Sequence, residues 1–448
     1  MIESITKKPS IMIFLTFLGA IFLGTFLLSL PFSTYQGISI IDALFTATSA
    51  VCVTGLSVQD TGTYFTFFGQ CVILFLIQIG GLGILTFAAF FIGILKGSLG
   101  FKERYWLEES LTQEYISDFR KFLHQMLLFV FLTELSGAFL LFWVFNSDFS
   151  VAKSCFLGIF HSISAFCNAG FSLFPNSLES YKGSIPLNLI IMFLIVSGGL
   201  GFVVVNDIKA LLARTKRDIS FHSKIVLSTT LFLLIAGFLG FFFLEYSCSL
   251  KDMAFQDKLL VSCFQSVTSR TAGFNTISFV ALSEACLLLI MFLMFIGGSP
   301  GSMAGGIKTT SFALTITLLF SRLTGREKPE IFHKSVSQSA VDRIVILILG
   351  SLFIVASCTF LLLITEKDTA YFKDSPCAFL AILFESVSAF GTVGLSIGIT
   401  PFLTAIGKFI ISFLMFIGRI GPLTLAVWMI ESKQQLNYEY PEEEIMIG

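Results

Sequence analysis

Long apolar segments alternate with shorter ones along this chain. A helix needs about 20 mostly apolar residues to cross a bilayer, so the long segments predict spanning helices. They fall at eight places: 10–30, 65–95, 122–145, 186–208, 225–245, 280–321, 344–364 and 402–430. Four shorter, moderately apolar stretches predict half-helices that enter the membrane and return. These are 39–51, 151–167, 257–270 and 376–391.

Each half-helix lies between two predicted spans, so one unit recurs four times. We call its parts the opening helix, the pore helix and the closing helix. Both crossings are completed within a unit, which predicts parallel repeats around an axis along the membrane normal. The expected fold class is all-α integral membrane, with eight transmembrane helices and four re-entrant pore half-helices around a pseudo-fourfold pore. The predicted boundaries are repeat 1 at 1–95, repeat 2 at 122–208, repeat 3 at 225–321 with an intramembrane gating loop at 297–310, and repeat 4 at 344–430.

Basic residues predict how the chain is oriented. The three linkers 96–121, 209–224 and 322–343 each hold five Lys or Arg, and Lys7, Lys8 and Lys433 bring this side to 18. The loops on the opposite side hold seven. Because Lys and Arg favour the cytoplasmic side, we expect both termini, the linkers and the tail 431–448 in the cytoplasm of a multi-pass protein of the cell membrane. The pore helices then enter from outside.

Composition supports a lipid environment and gives no sign of catalysis. The chain is 55% hydrophobic and only 13% charged, whereas soluble domains are nearer a quarter charged. The nine Cys and four His show no metal-binding or redox spacing, and no nucleophile or nucleotide motif is present. We therefore expect no enzyme activity and no organic cofactor.

One glycine follows each pore helix at a fixed place: Gly55, Gly170, Gly273 and Gly394. Backbone carbonyls can replace the water shell of a cation, and glycine permits the positive φ that such a loop can require. The pore helix also points its negative dipole end at the loop. We therefore predict a cation filter formed by the two residues before each glycine. They are Val53, Thr54, Asn168, Ala169, Thr271, Ala272, Thr392 and Val393.

A second glycine element lies within each closing helix. In repeats 1 and 2 the sequences Gly80–Gly83 and Gly198–Gly201 favour close helix packing. In repeat 3 the segment is too rich in Gly, Ser and Pro for an unbroken helix, and broken backbone at this depth must line a cavity. We predict a gate there, and Arg419 is expected either to project into the permeation path or to hold the loop. The gate residues are Gly297, Gly298, Gly301, Gly305, Gly306, Lys308 and Arg419.

Three segments carry a family resemblance. Residues 47–58 (ATSAVCVTGLSV) and 269–276 (SRTAGFNT) resemble the first and third filters of the Trk/Ktr/HKT K⁺ transporters. Residues 298–309 (GSPGSMAGGIKT) resemble the gating loop of that family, and Arg419 matches its fourth-repeat arginine. The likeness covers nearly the whole chain, and its compact form is most similar to the Ktr membrane subunit. One departure is Pro300, where the family pattern favours a small polar or flexible residue.

The resemblance implies K⁺ transport by a homodimer with one pore per subunit. It also implies a cytosolic ring of nucleotide-binding regulatory subunits and stimulation by Na⁺. The main alternative is a secondary transporter of another monovalent cation such as Na⁺ or ammonium. A membrane-embedded enzyme and a scaffold with inactive filters are two further alternatives. The position of Arg270 in the third filter leaves two roles open: it faces the outer vestibule or it braces neighbouring loops.

Overall fold

The computed structural model describes residues 9–96, 119–214, 217–326, 328–369, 372 and 378–421. Most of the predicted first linker, the end of repeat 4 and the predicted tail lie outside these residues. The opening helices are Pro9–Leu28, Phe119–Phe145, Phe221–Glu245 and Gln338–Glu366. The pore helices are Ile40–Val51, Val151–Phe166, Phe255–Thr268 and Ala378–Gly391.

The closing helices are Phe67–Lys96, Ile185–Gly199, Glu284–Phe295 and Ala405–Ile420. The second and third of them continue after a break as Phe202–Leu212 and Thr309–Leu323. The remaining short elements are Thr61–Tyr64, the 3₁₀ turns Glu179–Tyr181, Phe279–Ala281 and Thr400–Phe402, and two antiparallel strands, Glu330–Ile331 and Lys334–Ser335.

Within the described residues, the closing helices of repeats 1, 2 and 3 are interrupted at their glycine elements, and that of repeat 4 ends at its own. Gly83, Gly201 and Gly421 have φ values of 66°, 84° and 90°, which an α-helix does not contain. The axes of Ile185–Gly199 and Phe202–Leu212 differ by 103°. The unbroken closing helices expected in repeats 1 and 2 are therefore wrong, because glycine allows a backbone turn within an otherwise apolar stretch. The break predicted in repeat 3 is present, between Phe295 and Thr309.

Three described helices are long and apolar enough to cross a bilayer: His124–Phe145, Phe221–Glu245 and Gln338–Glu366. A fourth is reached within the described residues if the bent pair beginning at Ile185 counts as one span. The described part of the chain therefore supports a helical membrane protein, while the count of eight spans stays a prediction.

Large apolar side chains cover the outside of the helices. Phe131, Phe243 and Phe353 on three opening helices are 62%, 72% and 73% exposed. Hydrocarbon accepts such surfaces but offers no hydrogen bonds. The pore helices instead lie inside, with most of their last residues buried. One inter-repeat ion pair is Lys408 Nζ to Asp42 Oδ1 at 2.7 Å, which joins the closing helix of repeat 4 to the pore helix of repeat 1.

Candidate cation filter and gating layer

The four predicted filter segments have the same unusual backbone. Each filter glycine has a positive φ, between 71° and 94°. The residue two positions earlier also has one, although none of these residues is glycine: Val53 (56°), Asn168 (59°), Thr271 (72°) and Thr392 (50°). Left-handed backbone in such residues costs on the order of 1–3 kcal/mol and clusters at functional sites. The sequence pattern gave no sign of this feature.

The four glycines form a closed ring. A Cβ added to Gly55 would collide with the carbonyl oxygen of Ala169, and one on Gly170 would lie 2.8 Å from that of Ala272. A Cβ on Gly273 would lie 2.5 Å from the Val393 oxygen. The ring closes at Gly394, where a Cβ would collide with the Thr54 oxygen. Each filter segment therefore meets the next through a predicted filter carbonyl.

A hydroxyl in the last turn of each pore helix holds the filter backbone. In repeats 1 and 4, Ser49 and Ser388 accept the filter glycine N–H at 3.1 Å. In repeats 2 and 3, Ser164 donates to the Phe171 carbonyl at 2.8 Å and Thr268 to the Phe274 carbonyl at 2.5 Å. These bonds fix the filter against the end of its own pore helix.

A cavity of about 390 Å³ lies on one side of the ring, and all four filter glycines line it. The carboxylates of Asp60 and Glu179 also line this vestibule. Glu179 accepts a hydrogen bond of 2.9 Å from Asn275, two residues after the third filter glycine. The vestibule thus combines open space with negative charge, which suits an approaching cation.

The predicted gating loop crosses to the neighbouring repeat. Its residues Ser299 and Met303 donate backbone hydrogen bonds of 3.1 Å each to Gly199 and Gly198, at the break in the second closing helix. The loop also lies against the fourth filter segment, since a Cβ on Gly305 would collide with the Thr392 hydroxyl. The loop therefore connects repeats 2, 3 and 4 directly next to the filter.

Arg419 joins the loop to repeat 1. Its buried guanidinium donates to the carbonyl oxygens of Met303 and Gly80, and to that of Gly81 at 3.5 Å. Breaks in the helices leave these carbonyls available. Of the two arrangements expected for Arg419, the structure shows the one in which its side chain contacts the predicted gating loop. Lys308, which is partly buried, donates to the Ala304 carbonyl at 2.7 Å within the loop.

Arg270 braces the backbone and is absent from the residues that line the vestibule. Its guanidinium donates to the carbonyl of Gly297 at 3.0 Å and of Thr230 at 3.4 Å. It thereby ties the third filter turn to the start of the gating loop. Of the two roles left open for Arg270, the structure has the bracing contacts.

The first glycine of each broken element in repeats 1, 2 and 4 packs on a pore helix. A Cβ on Gly80, Gly198 or Gly418 would collide with the carbonyl oxygen of Val51, Phe166 or Phe390. The close packing expected in repeats 1 and 2 is therefore present. The break three residues later was not expected there, because small residues at helix contacts and at helix breaks look alike in sequence.

Comparison with known proteins gives one consistent result. The family model for TrkH, described as a cation transport protein, matches residues 4–439. The chain is 42% identical to the Ktr system potassium uptake protein B of Bacillus subtilis, covering 100% of this chain and 98% of the relative. It is 41% identical to the potassium/sodium uptake protein NtpJ of Enterococcus hirae, covering 96% and 94%. The crystal structure of the potassium transporter TrkH from Vibrio parahaemolyticus has the same fold, with a TM-score of 0.71, 22% identity, and 92% and 84% coverage.

Proposed function

Because this chain belongs to the TrkH family of cation transport proteins, we propose that it takes up K⁺ across the cell membrane through the ring of filter carbonyls. The ring of four glycines, each in contact with a predicted filter carbonyl of the next repeat, carries this proposal. Carbonyls held in such a ring can replace the hydration shell of a monovalent cation. K⁺ is the transported ion here and binds only at the filter positions.

The glycine-rich loop and Arg419 form the gate in this proposal. Two cationic side chains support this assignment: Lys308 within the loop and Arg419 each donate a hydrogen bond to a carbonyl of the loop. A positive charge beside the ion path repels K⁺, so the described arrangement corresponds to a closed pore. Opening requires the loop to leave its partners in repeats 1 and 2.

The assembly proposed for this chain follows the family resemblance. It is a homodimer with both termini in the cytoplasm, one pore per subunit, and a cytosolic ring of nucleotide-binding regulatory subunits. Na⁺ is proposed as an activator of uptake. The Enterococcus relative is named as a potassium/sodium uptake protein, so Na⁺ is the first ion to test both as activator and as cargo.

Growth at low K⁺ tests the proposed function. A bacterium that lacks its own K⁺ uptake systems is supplied with this chain, and we expect growth to be restored and Rb⁺ uptake to be saturable. Gly394→Asp, which puts a side chain into the ring, is the inactive control. Uptake of Na⁺ or ammonium with no Rb⁺ uptake would instead support a transporter for another monovalent cation.

Shortening the loop tests the proposed gate. Deleting 301–306 should raise uptake that does not depend on regulatory subunits, because the contacts that close the path are lost. The amount of folded protein in the membrane is measured alongside. A deletion protein that folds and transports at the wild-type rate would show that the segment only packs.

A further inference from the structure

Each pore helix carries a polar side chain one turn before its filter hydroxyl. The four residues are Thr46, His161, Gln265 and Glu385, each three positions before Ser49, Ser164, Thr268 or Ser388. All four are at most 2% exposed. Buried polar groups require partners, and the partners separate one repeat from the other three.

In repeats 2, 3 and 4 this side chain reaches the loop that follows the filter glycine. His161 Nε2 lies 3.0 Å from the Ser172 hydroxyl. Gln265 Nε2 donates to the Thr276 hydroxyl at 3.2 Å. Ser172 is two residues after its filter glycine, and Thr276 is three residues after its own. The pore helix thus holds its filter at both ends, through the hydroxyl before the glycine and this polar group after it.

Glu385 makes the corresponding contact in repeat 4. Its Oε1 accepts hydrogen bonds from Ser396 at 3.3 Å and from Thr400. Within the described residues its other oxygen, Oε2, has no hydrogen-bond partner. The described hydrogen bonds of this carboxyl therefore all go to the loop after the filter.

The tautomer of His161 follows from its second contact. Nδ1 lies 2.9 Å from the Leu157 carbonyl, which can only accept, so Nδ1 carries a proton. In the neutral ring Nε2 then accepts from the Ser172 hydroxyl. The three repeats thus use an imidazole, an amide and a carboxyl for the same purpose.

Among the residues that the structure describes, repeat 1 has no such connection. The Thr46 hydroxyl donates at 2.8 Å to the Asp42 carbonyl of its own helix. The filter of repeat 1 is held by Ser49, and the loop beyond it is bonded from the closing helix through Gln70. The four sides of the ring are therefore alike in backbone but unequal in support.

We propose that His161, Gln265 and Glu385 are positioning residues. Through their hydrogen bonds to the loops after the filter glycines, they set the preference of the filter among cations. This rests on the proposed function. Ion selection requires carbonyls held within about 0.5 Å of the favourable geometry by a supporting layer of bonds. Loss of one support lets the ring contract around a smaller ion, so Na⁺ competes better with Rb⁺.

Glu385 gives the sharpest test. Glu385→Ala should strengthen inhibition of Rb⁺ uptake by Na⁺ about tenfold, equivalent to about 1.4 kcal/mol of discrimination. Glu385→Gln keeps an acceptor for Ser396 and Thr400 and should restore most of the preference. Thr46→Val is the matched control and should leave the inhibition constant unchanged. A purely structural role predicts less folded protein with an unchanged Na⁺ inhibition constant in all three variants, and that result would overturn the proposal.

If the Glu385→Ala protein does not accumulate in the membrane, substitutions of the loop residues that bond to Glu385 test the positioning role instead. Ser396→Ala combined with Thr400→Val removes the same bonds and should give the same shift, and adding Glu385→Gln to that pair should change nothing further. Unchanged Na⁺ inhibition in the loop-side variant overturns the positioning role. Absence of Rb⁺ uptake by the wild-type chain would overturn the proposed function itself, and the positioning role with it.

Discussion

The ring of the four candidate filter segments and the candidate gating layer next to it are made from the same four repeats in different ways. We call the loop 297–310, Arg419 and the helix breaks that they contact the gating layer. In the ring, every repeat has the same pair of positive φ values with different side chains. In the gating layer the repeats differ. Repeat 3 supplies a loop, repeat 4 supplies Arg419, and repeats 1 and 2 supply carbonyls at broken helices. The vestibule beside the ring has acidic side chains, while the gating layer has basic ones.

The functions proposed for the two layers account for this difference. Coordination of a spherical cation needs equivalent carbonyls on all sides, which backbone can supply whatever the side chains are. A gate needs an element that can leave its position, and one mobile side of a pore is enough. Four repeats around one axis can therefore share the same backbone conformation in the filter ring and still carry different side chains in the gating layer.

Adding a side chain to the ring should have the largest effect. Gly55→Ser or Gly273→Ser places a Cβ against a carbonyl of the next repeat, and we expect at least about a tenfold loss of Rb⁺ preference over Na⁺, or about 1.4 kcal/mol. Gly398→Ala is the control, because Gly398 also has a positive φ (91°), but in the described part of the chain no atom lies within 4 Å of an added Cβ. Unchanged competition by Na⁺ in both serine variants would remove the filter assignment.

Removing the Arg419 side chain should have the next largest effect on transport, and that effect should be confined to the gating layer. Arg419→Ala leaves the carbonyls of Met303 and Gly80 without their donor, and unsatisfied buried groups cost about 1–3 kcal/mol each. We expect a several-fold K⁺ leak in vesicles and a lower melting temperature in detergent. Arg419→Lys keeps the charge but cannot form the same fork of bonds, so it should leak to an intermediate degree.

Flux per folded molecule separates the two roles of Arg419. If Arg419→Ala lowers the melting temperature but leaves that flux at the wild-type level, the arginine is structural and the gating role fails.

Two glycines of the loop should respond unequally. A Cβ on Gly305 meets the Thr392 hydroxyl in the fourth filter segment, whereas one on Gly301 has no atom of the described residues within 4 Å. Gly305→Ala should therefore disturb both gating and cation preference. Gly301→Ala adds only the strain of its φ of 69°, on the order of 1 kcal/mol. Equal effects of the two substitutions on Rb⁺ uptake would mean that the loop does not press on the filter.

The smallest effect on uptake should come from Glu179, one of the two carboxylates that line the vestibule. Burial raises the pKa of Glu179, and this outweighs the opposing influences of the Asn275 hydrogen bond and the Lys182 charge. Glu179 therefore gains a proton at higher pH than an ordinary glutamate, and its negative charge is lost from the vestibule as the solution becomes acidic. We expect Rb⁺ uptake at low concentration to fall modestly through that range.

A substitution checks this pH dependence. In Glu179→Gln the corresponding part of the pH profile should be flat and uptake should already be reduced near neutral pH. A profile identical to that of the wild type would assign the pH dependence to another group.

The family relationship could be predicted from the filter and loop motifs, and the match to the TrkH model confirms it. The pore helices were located to within a few residues where they are described, because short apolar stretches ending in Gly mark them well. The breaks in the closing helices of repeats 1 and 2 were missed. Glycine next to apolar residues is compatible with both an intact packed helix and a turn.

By itself the sequence determined the alternation of long and short helices, the four filter glycines and the irregular third loop, because apolar length and glycine content act locally. Only the tertiary structure decided which carbonyls Arg419 and Arg270 meet, and which pore helices support the filter from behind. Arg419 is 339 residues from Gly80 along the chain. Sequence spacing does not specify contacts over such distances, since they depend on how the four repeats close around one axis.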